Sequence, residues 1–236
     1  SNIALIFGVS CIGVSMRPAK TNLVQFIPFA IAAIILGLVL LDLKITVIEG
    51  WVLLIIFALF IFITYKYRGC ELDDQIEESA TGTITILLYL TVGLLALIGG
   101  SNFAVIHAEK IASILNVPQL IIGLTIIALG TSLPELAATI SAIIKNKNDM
   151  VIGNVIGSNV MNIALVLPII GFFSDTSFDS TLLSRDYFVM LIATILFVLL
   201  AATYSSNKIN LKFIRFVGCI FVAGYIGYIL NLSNLI

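Results

Sequence analysis

The chain has 236 residues, of which 60% are hydrophobic and only 11% are charged, with a formal net charge of −1. A soluble globular domain carries about 25% charged residues, so the composition excludes that class and predicts an integral membrane protein with no nucleic-acid partner. The three cysteines, Cys11, Cys70 and Cys219, are too widely spaced for a metal motif, and their odd number predicts no disulfide framework.

Apolar segments of about 20 residues, the length of a membrane-spanning α-helix, follow one another along the chain. Each is predicted to be helical, because in hydrocarbon every backbone N–H and C=O must be satisfied within its own segment. The first segment is incomplete: the chain opens at Ser1 inside an apolar run, without a charged leader or cleavage site, and we expect further residues upstream. The eight predicted segments are 1–15, 23–41, 45–65, 83–106, 120–144, 150–173, 188–204 and 213–232.

Basic residues gather on alternate loops, which predicts the orientation of the chain. The positive-inside rule makes the richer set of loops cytoplasmic. The protein is predicted to lie in the plasma (inner) membrane, with its C-terminus on the outer side. The richer set holds Arg17, Lys20, Lys66, Arg68, Lys145, Lys147, Lys208, Lys212 and Arg215, and the other loops hold Lys44, Lys110 and Arg185.

A polar loop at 68–82 carries five carboxylates without the spacing of an EF-hand. A solvated cytoplasmic hinge is the simpler interpretation of such a charge run, and regulatory cation binding is left open. The acidic residues are Glu71, Asp73, Asp74, Glu77 and Glu78.

The sequence GTSLPE, residues 130–135, lies inside the fifth apolar segment. A carboxylate at membrane depth costs roughly 2.5–3.5 kcal/mol on insertion scales, so Glu135 needs partners or a cation. Pro134 lacks an N–H and Gly130 resists unwinding little, which predicts a helix break near Thr131. Backbone carbonyls freed beside a carboxylate make an oxygen-rich pocket for a hard cation.

A purely structural alternative exists for the same carboxylate. Ser132 and Glu135 fit the S-x-x-E capping box, in which each residue satisfies the backbone N–H of the other. In that account Glu135 only caps the restarting helix.

The next segment contains GNVIGSN, residues 153–159. Asn154, Ser158 and Asn162 are four residues apart and therefore share one helix face, and Gly153 and Gly157 form a small-residue stripe predicted to let a neighbouring backbone approach. Polar contacts between helices are the alternative to an ion site. The candidate ligands are all oxygens, which favours Ca²⁺ or Na⁺ over zinc or copper.

Two apolar segments of the chain carry an internal repeat. The sequence NIALIFGVSCIG, which begins at Asn2, is echoed by NIALVLPIIG, which begins at Asn162. The charge assignment makes the two segments run in opposite directions, and inverted repeats place a substrate site near the midplane where the halves meet.

ALGTSLPE (128–135) followed by GNVIGSNVMNIAL (153–165) resembles the second α-repeat of the cation/Ca²⁺ exchanger superfamily, in particular the prokaryotic Na⁺/Ca²⁺ exchangers. The resemblance implies an all-α polytopic fold with ten helices in two inverted halves, of which about eight segments are present here. Residues 1–67 would be the remainder of the first half, 68–82 the hinge loop and 83–236 the second half. The first α-repeat would lie upstream, and that segment would be needed to complete the cation site.

The resemblance also implies roles for single residues. Glu135 would be the central Ca²⁺ ligand, shared in alternation with Na⁺, and Asn162 falls where many relatives have Asp, which favours K⁺-independent exchange. Backbone carbonyls would come from Ala128 and Thr131, side-chain oxygens from Ser132 and Ser158, and further contacts from Asn154, Asn162 and its counterpart Asn2.

The predicted function is secondary antiport of Na⁺ against Ca²⁺ by alternating access, with both ions as substrates. An enzyme is not predicted, since no Ser/His or paired-Asp constellation lies on segments that could meet. A Ca²⁺/H⁺ antiporter and a non-transporting membrane scaffold are the alternatives. The single histidine, His107, is predicted to be interfacial, and a proton role for it stays open.

Overall fold

The computed structural model describes residues 1–13, 23–67, 82–173, 178–205 and 210–232. Nearly all of these residues are helical, and there is no β-strand among them. The acidic residues of the predicted hinge loop, and Cys70, lie outside the described ranges.

Nine helices cover the described part of the chain. Each of the eight predicted apolar segments overlaps one helix, except the fifth, which is divided into two helices. Five of the nine, α3, α4, α7, α8 and α9 as defined below, are long and apolar enough to cross a membrane, whereas α1, α2 and α6 are shorter apolar helices. The membrane class is thus confirmed. The helices are α1 (Asn2–Gly13), α2 (Phe26–Val39), α3 (Val47–Tyr67), α4 (Thr83–Ile114), α5 (119–130), α6 (Leu133–Ile144), α7 (Asn148–Phe173), α8 (182–205) and α9 (Leu211–Leu232).

Helix α4 runs eight residues beyond its predicted end at Ile106. The apolar run ends there, but polar residues are compatible with a helix, and the backbone continues in helical geometry to Ile114. Asn116 then adopts the left-handed conformation with φ 57°, and the Val117 N–H donates to the Ala112 carbonyl at 2.9 Å. This is the usual geometry of a helix C-terminus, so the end is set by Asn116.

The two copies of the internal repeat share a local irregularity. A π-helical turn begins at Asn2 and extends to Phe7, and another begins at Asn162 and extends to Val166. Such turns are rare and occur frequently at functional sites. Their occurrence at the same asparagine in both copies supports the repeat that the sequence predicted.

Helices α1 and α9 cross closely at Gly8 and Gly218. A Cβ built on Gly218 would lie 2.7 Å from the Gly8 carbonyl oxygen and 2.8 Å from the Cβ of Cys11. Beside it, the Phe7 ring meets Phe197 edge to face at 4.7 Å and Phe221 at 5.8 Å. Because Gly218 has no side chain, α1, with its π-helical turn, can pack directly against α9.

The stripe at Gly153 and Gly157 does not make the predicted close approach. No atom of the described residues lies within 4 Å of a Cβ built on either glycine. Among the described residues, a tight contact between helix backbones is made at Gly8 and Gly218.

A second contact joins residues before and after the predicted hinge. The Tyr187 hydroxyl donates to the Ala33 carbonyl at 3.2 Å, and it lies so close to Gly37 that a Cβ there would overlap it. Nearby, the Phe178 N–H donates to the Leu43 carbonyl at 2.7 Å. Helix α2 is thereby fixed to the start of α8.

Candidate cation site

The predicted helix break is present between α5 and α6. Thr131 donates its N–H to the Ile127 carbonyl at 3.0 Å, and Ser132 donates to the Leu129 carbonyl at 3.1 Å. Pro134 has no N–H, so the Gly130 carbonyl loses its α-helical donor. Helix α6 then restarts at Leu133 with its proline in the first turn, where proline is well tolerated.

The capping box predicted at this break is not formed. Ser132 precedes the first residue of α6, yet its side chain makes no capping hydrogen bond. Its backbone, at φ −96° and ψ −1°, lies outside the extended region that capping residues adopt. The hydroxyl is engaged elsewhere, since it shares a 2.5 Å hydrogen bond with the Ser1 hydroxyl.

Glu135 lies in the first turn of α6 and is partly buried. Its Oε2 atom is fully enclosed and has no hydrogen-bond partner among the described residues. A buried oxygen of this kind is costly unless a donor or a cation meets it. Because the capping role is excluded by geometry, the oxygen that the backbone does not use is available to a cation.

Ser132 brings the N-terminal helix α1 to the broken helix beside this turn. Ser132 is buried, and its hydroxyl donates to Asn2 Oδ1 at 3.3 Å. Asn2 is itself buried at the start of its π-helical turn. A predicted ligand from α1 and one from the broken helix are therefore in direct contact.

Helix α7 packs against α6 and contributes Asn154 and Ser158. The Asn154 amide nitrogen donates to the Glu135 main-chain carbonyl at 3.0 Å and to the Thr139 hydroxyl at 2.9 Å. Ser158 is partly buried and donates to the Val155 carbonyl at 3.2 Å. Asn154 thus touches the turn that carries the carboxylate, and Ser158 lies one helical turn further along α7.

The remaining predicted ligands include two exposed residues. The side chains of Thr131 and Asn162 are exposed, and Ala128 lies in the last turn of α5, just before the break. Asn162 begins the π-helical turn of α7 and is not among the buried polar residues that surround Ser132. The described contacts therefore unite Glu135, Ser132, Asn2 and Asn154.

Two polar residues that were not predicted from the sequence also belong to the site. Ser1 contacts the Ser132 hydroxyl, and Thr139 is fully buried and accepts from Asn154. A signal for Thr139 was available, because it follows Glu135 by four residues and so lies on the same helix face.

The site offers mainly oxygen atoms as ligands for a cation. No three His, Cys, Asp or Glu side chains come together in the ranges that the structure describes, and the side chains in contact around the Glu135 turn carry hydroxyl and amide groups. Such oxygens suit hard cations. His107 is exposed on α4, where its Nδ1 contacts the Phe103 carbonyl at 2.8 Å, and it takes no part in these contacts.

Known proteins resemble the chain over nearly its whole length. A family model described as sodium/calcium exchanger protein matches residues 85–233. The putative antiporter CaxA of Alkalimonas amylolytica is 35% identical over 238 residues, which cover 97% of this chain and 73% of the relative. The sodium/calcium exchanger MaX1 of Methanosarcina acetivorans is 41% identical over 114 residues, which cover 48% of this chain and 33% of the relative.

A solved structure agrees with these sequence matches. The sodium/calcium exchanger from Methanococcus jannaschii superposes with a TM-score of 0.74 at 30% identity, covering 97% of this chain and 71% of that one. The predicted exchanger fold is thereby confirmed. The chain belongs to the sodium/calcium exchanger family of membrane transporters.

Proposed function

We propose that the protein exchanges Na⁺ for Ca²⁺ by alternating access and that both ions bind at Glu135. The observation that carries the proposal is the enclosed Oε2 of Glu135, which lacks a hydrogen-bond partner among the described residues. It lies one turn from Ser132, at a break where Pro134 leaves a backbone carbonyl without its donor. Asn2 of α1 and Asn154 of α7 contact this turn from other helices, so the site can open when the helices move against one another.

The small number of carboxylates makes the two ions compete. Among the described residues no group of three or more His, Cys, Asp or Glu side chains comes together, and a pocket with few carboxylates cannot neutralise a full load of both ions at once. Charges brought together in a medium of low dielectric interact strongly. Occupancy by Ca²⁺ and by Na⁺ is therefore mutually exclusive, and a downhill Na⁺ gradient drives Ca²⁺ the other way.

The exchange is independent of K⁺ in this proposal. Asn162 stands where many relatives carry Asp, and it supplies an amide with no charge to attract a further cation. Its side chain is exposed at the start of the π-helical turn.

The orientation is proposed from the ends of the described helices. Lys66 lies in the last turn of α3, Lys145 and Lys147 lie between α6 and α7, and Lys212 lies in the first turn of α9. The positive-inside rule assigns these ends to the cytoplasm. The C-terminus then faces the outside of the plasma membrane.

Flux in liposomes tests the proposed function. Full-length protein is reconstituted in liposomes loaded with Na⁺, which are diluted into Na⁺-free medium containing ⁴⁵Ca²⁺. We expect uptake only when the Na⁺ gradient is imposed, at a rate that added K⁺ does not change. Liposomes with equal Na⁺ on both sides, and liposomes without protein, serve as controls.

Two results would contradict the proposal. Uptake that follows an imposed pH gradient without Na⁺ would identify a Ca²⁺/H⁺ antiporter. A strict requirement for K⁺ would leave Na⁺-driven Ca²⁺ transport in place and refute the K⁺-independent form of it.

A further inference from the structure

Asn154 joins α7 to the one helical turn that carries Glu135. Its amide nitrogen donates to the Glu135 carbonyl at 3.0 Å and to the Thr139 hydroxyl at 2.9 Å. Glu135 and Thr139 are the first and last residues of that turn of α6. A single side chain therefore fixes both ends of the turn from the neighbouring helix.

The orientation of the Asn154 amide follows from its partners. A main-chain carbonyl can only accept a hydrogen bond, so the NH₂ group and not the oxygen must face Glu135. The NH₂ group has two hydrogens, and two acceptors lie within 3.0 Å of it. Both donors are thus in use, and the nitrogen side of the amide is not available to a cation.

Thr139 is enclosed more completely than any of the predicted ligands that the structure describes. Its relative exposure is 0%, against 5% for Ser132 and 7% for Asn2. A hydroxyl buried in that way needs a partner, and Asn154 provides one. The pair is consequently a packed contact between α6 and α7.

We propose that Asn154 and Thr139 are positioning residues, which hold the Glu135 turn of α6 at a fixed distance and rotation from Ser158 on α7. The inference rests on the proposed function only in that Glu135 binds the transported cation. In this role Asn154 is not itself a ligand of the cation. Its two N–H groups bond to α6, and its effect on the cation passes through Glu135.

Loss of this contact is expected to weaken Ca²⁺ binding. Partners that orient the ligands of a metal typically change metal affinity by about 10–100-fold when they are removed. We therefore expect Asn154→Ala to raise the KM for Ca²⁺ in Na⁺-driven uptake about tenfold or more, with a smaller change in the maximal rate. Thr139→Val should raise KM in the same direction, and Thr139→Ser, which keeps the hydroxyl, should restore it.

Asn154→Asp separates the two roles. Aspartate keeps an oxygen and adds a charge, so a direct ligand would bind Ca²⁺ at least as tightly after the change. Aspartate has no N–H to donate and would place an oxygen against the Glu135 carbonyl, so a positioning residue loses as much affinity as in Asn154→Ala.

Asn159→Ala is the matched control. Asn159 lies on the same helix and also uses its amide as a donor, but its partner is the Val155 carbonyl of α7 itself, at 2.7 Å. The KM for Ca²⁺ should therefore stay at the wild-type value. The melting temperature of each ion-free variant is recorded beside its KM, since a purely structural role would lower the melting temperature and leave KM unchanged.

The outcomes are distinct. Wild-type KM in both Asn154→Ala and Thr139→Val, tight binding in Asn154→Asp, or an equal rise in KM for Asn159→Ala would each overturn the inference. Wild-type protein without Na⁺-driven uptake would overturn the proposed function instead. In that case the affinity of each variant for Ca²⁺, measured from the rise in its melting temperature with Ca²⁺ concentration, tests the positioning role without any transport assay.

Discussion

Replacing Glu135 by Gln is expected to abolish Na⁺-driven ⁴⁵Ca²⁺ uptake by the full-length protein in liposomes. Glutamine keeps the length of the side chain and removes its charge, and it places an amide where Oε2 is now enclosed without a partner among the described residues. Removing one member of a buried charge pair costs about 3–5 kcal/mol, which corresponds to about a hundredfold or more in affinity. Uptake should fall to the level of protein-free liposomes.

Glu49→Gln provides the control that the chain itself offers. Glu49 belongs to a capping box that is formed: its Oε2 accepts from the Thr46 N–H at 2.8 Å, and its own N–H donates to the Thr46 hydroxyl at 3.3 Å. Glu49 is half-buried in the first turn of α3 and bonds to Thr46 rather than to the Glu135 turn, so loss of its charge should leave uptake close to the wild-type rate. Near-normal uptake by Glu135→Gln would refute the assignment of the cation site to Glu135.

These two glutamates show what the sequence could and could not predict about the site. Both follow a Ser or Thr by three residues, Thr46 in one case and Ser132 in the other. The pattern predicts a capping box equally well for both, yet only Thr46 and Glu49 form one. The difference is tertiary: Ser132 contacts Ser1 and Asn2, which are more than a hundred residues away in the chain.

The break in the helix was predictable because its cause is local. A proline has no N–H whatever surrounds it, and Pro134 interrupts the hydrogen bonds between α5 and α6 as the sequence indicates. The apolar segments were predictable for a similar reason, since the bilayer dictates their length. Neither prediction depends on which helices become neighbours.

Helix packing was not predictable in the same way. The GxxxG pattern at Gly153 and Gly157 pointed to a close approach that no described residue makes, whereas isolated glycines at 8 and 218 make one. A small residue permits a close contact without requiring it. Which glycine is used depends on the partner helix, and the pairing of α1 with α9 cannot be read from either segment alone.

The same uncertainty applies to Asn154. Its spacing from Ser158 correctly indicates one helix face, and that face does meet α6. Spacing does not reveal whether the amide presents its oxygen or its nitrogen. The structure resolves this point because the acceptors around the nitrogen are a main-chain carbonyl and a buried hydroxyl.

The second large effect is expected at the crossing of α1 and α9. Gly218→Ala would place a Cβ 2.7 Å from the Gly8 carbonyl oxygen and 2.8 Å from the Cys11 Cβ. The first of these atoms is backbone and cannot rotate away, so the two helices must separate. Overpacking of this kind costs about 1–3 kcal/mol, and we expect a lower melting temperature for the purified, ion-free protein.

Gly224→Ala, on the same helix, should not lower the melting temperature. No described atom lies within 4 Å of a Cβ at Gly224, and alanine is favoured over glycine in a helix by about 1 kcal/mol. The melting temperature should therefore stay the same or rise. An equal fall for both variants would mean that α9 does not tolerate alanine for reasons unrelated to α1. A wild-type melting temperature for Gly218→Ala would mean that α1, and with it the Asn2 side chain at Ser132, is not held in place by this crossing.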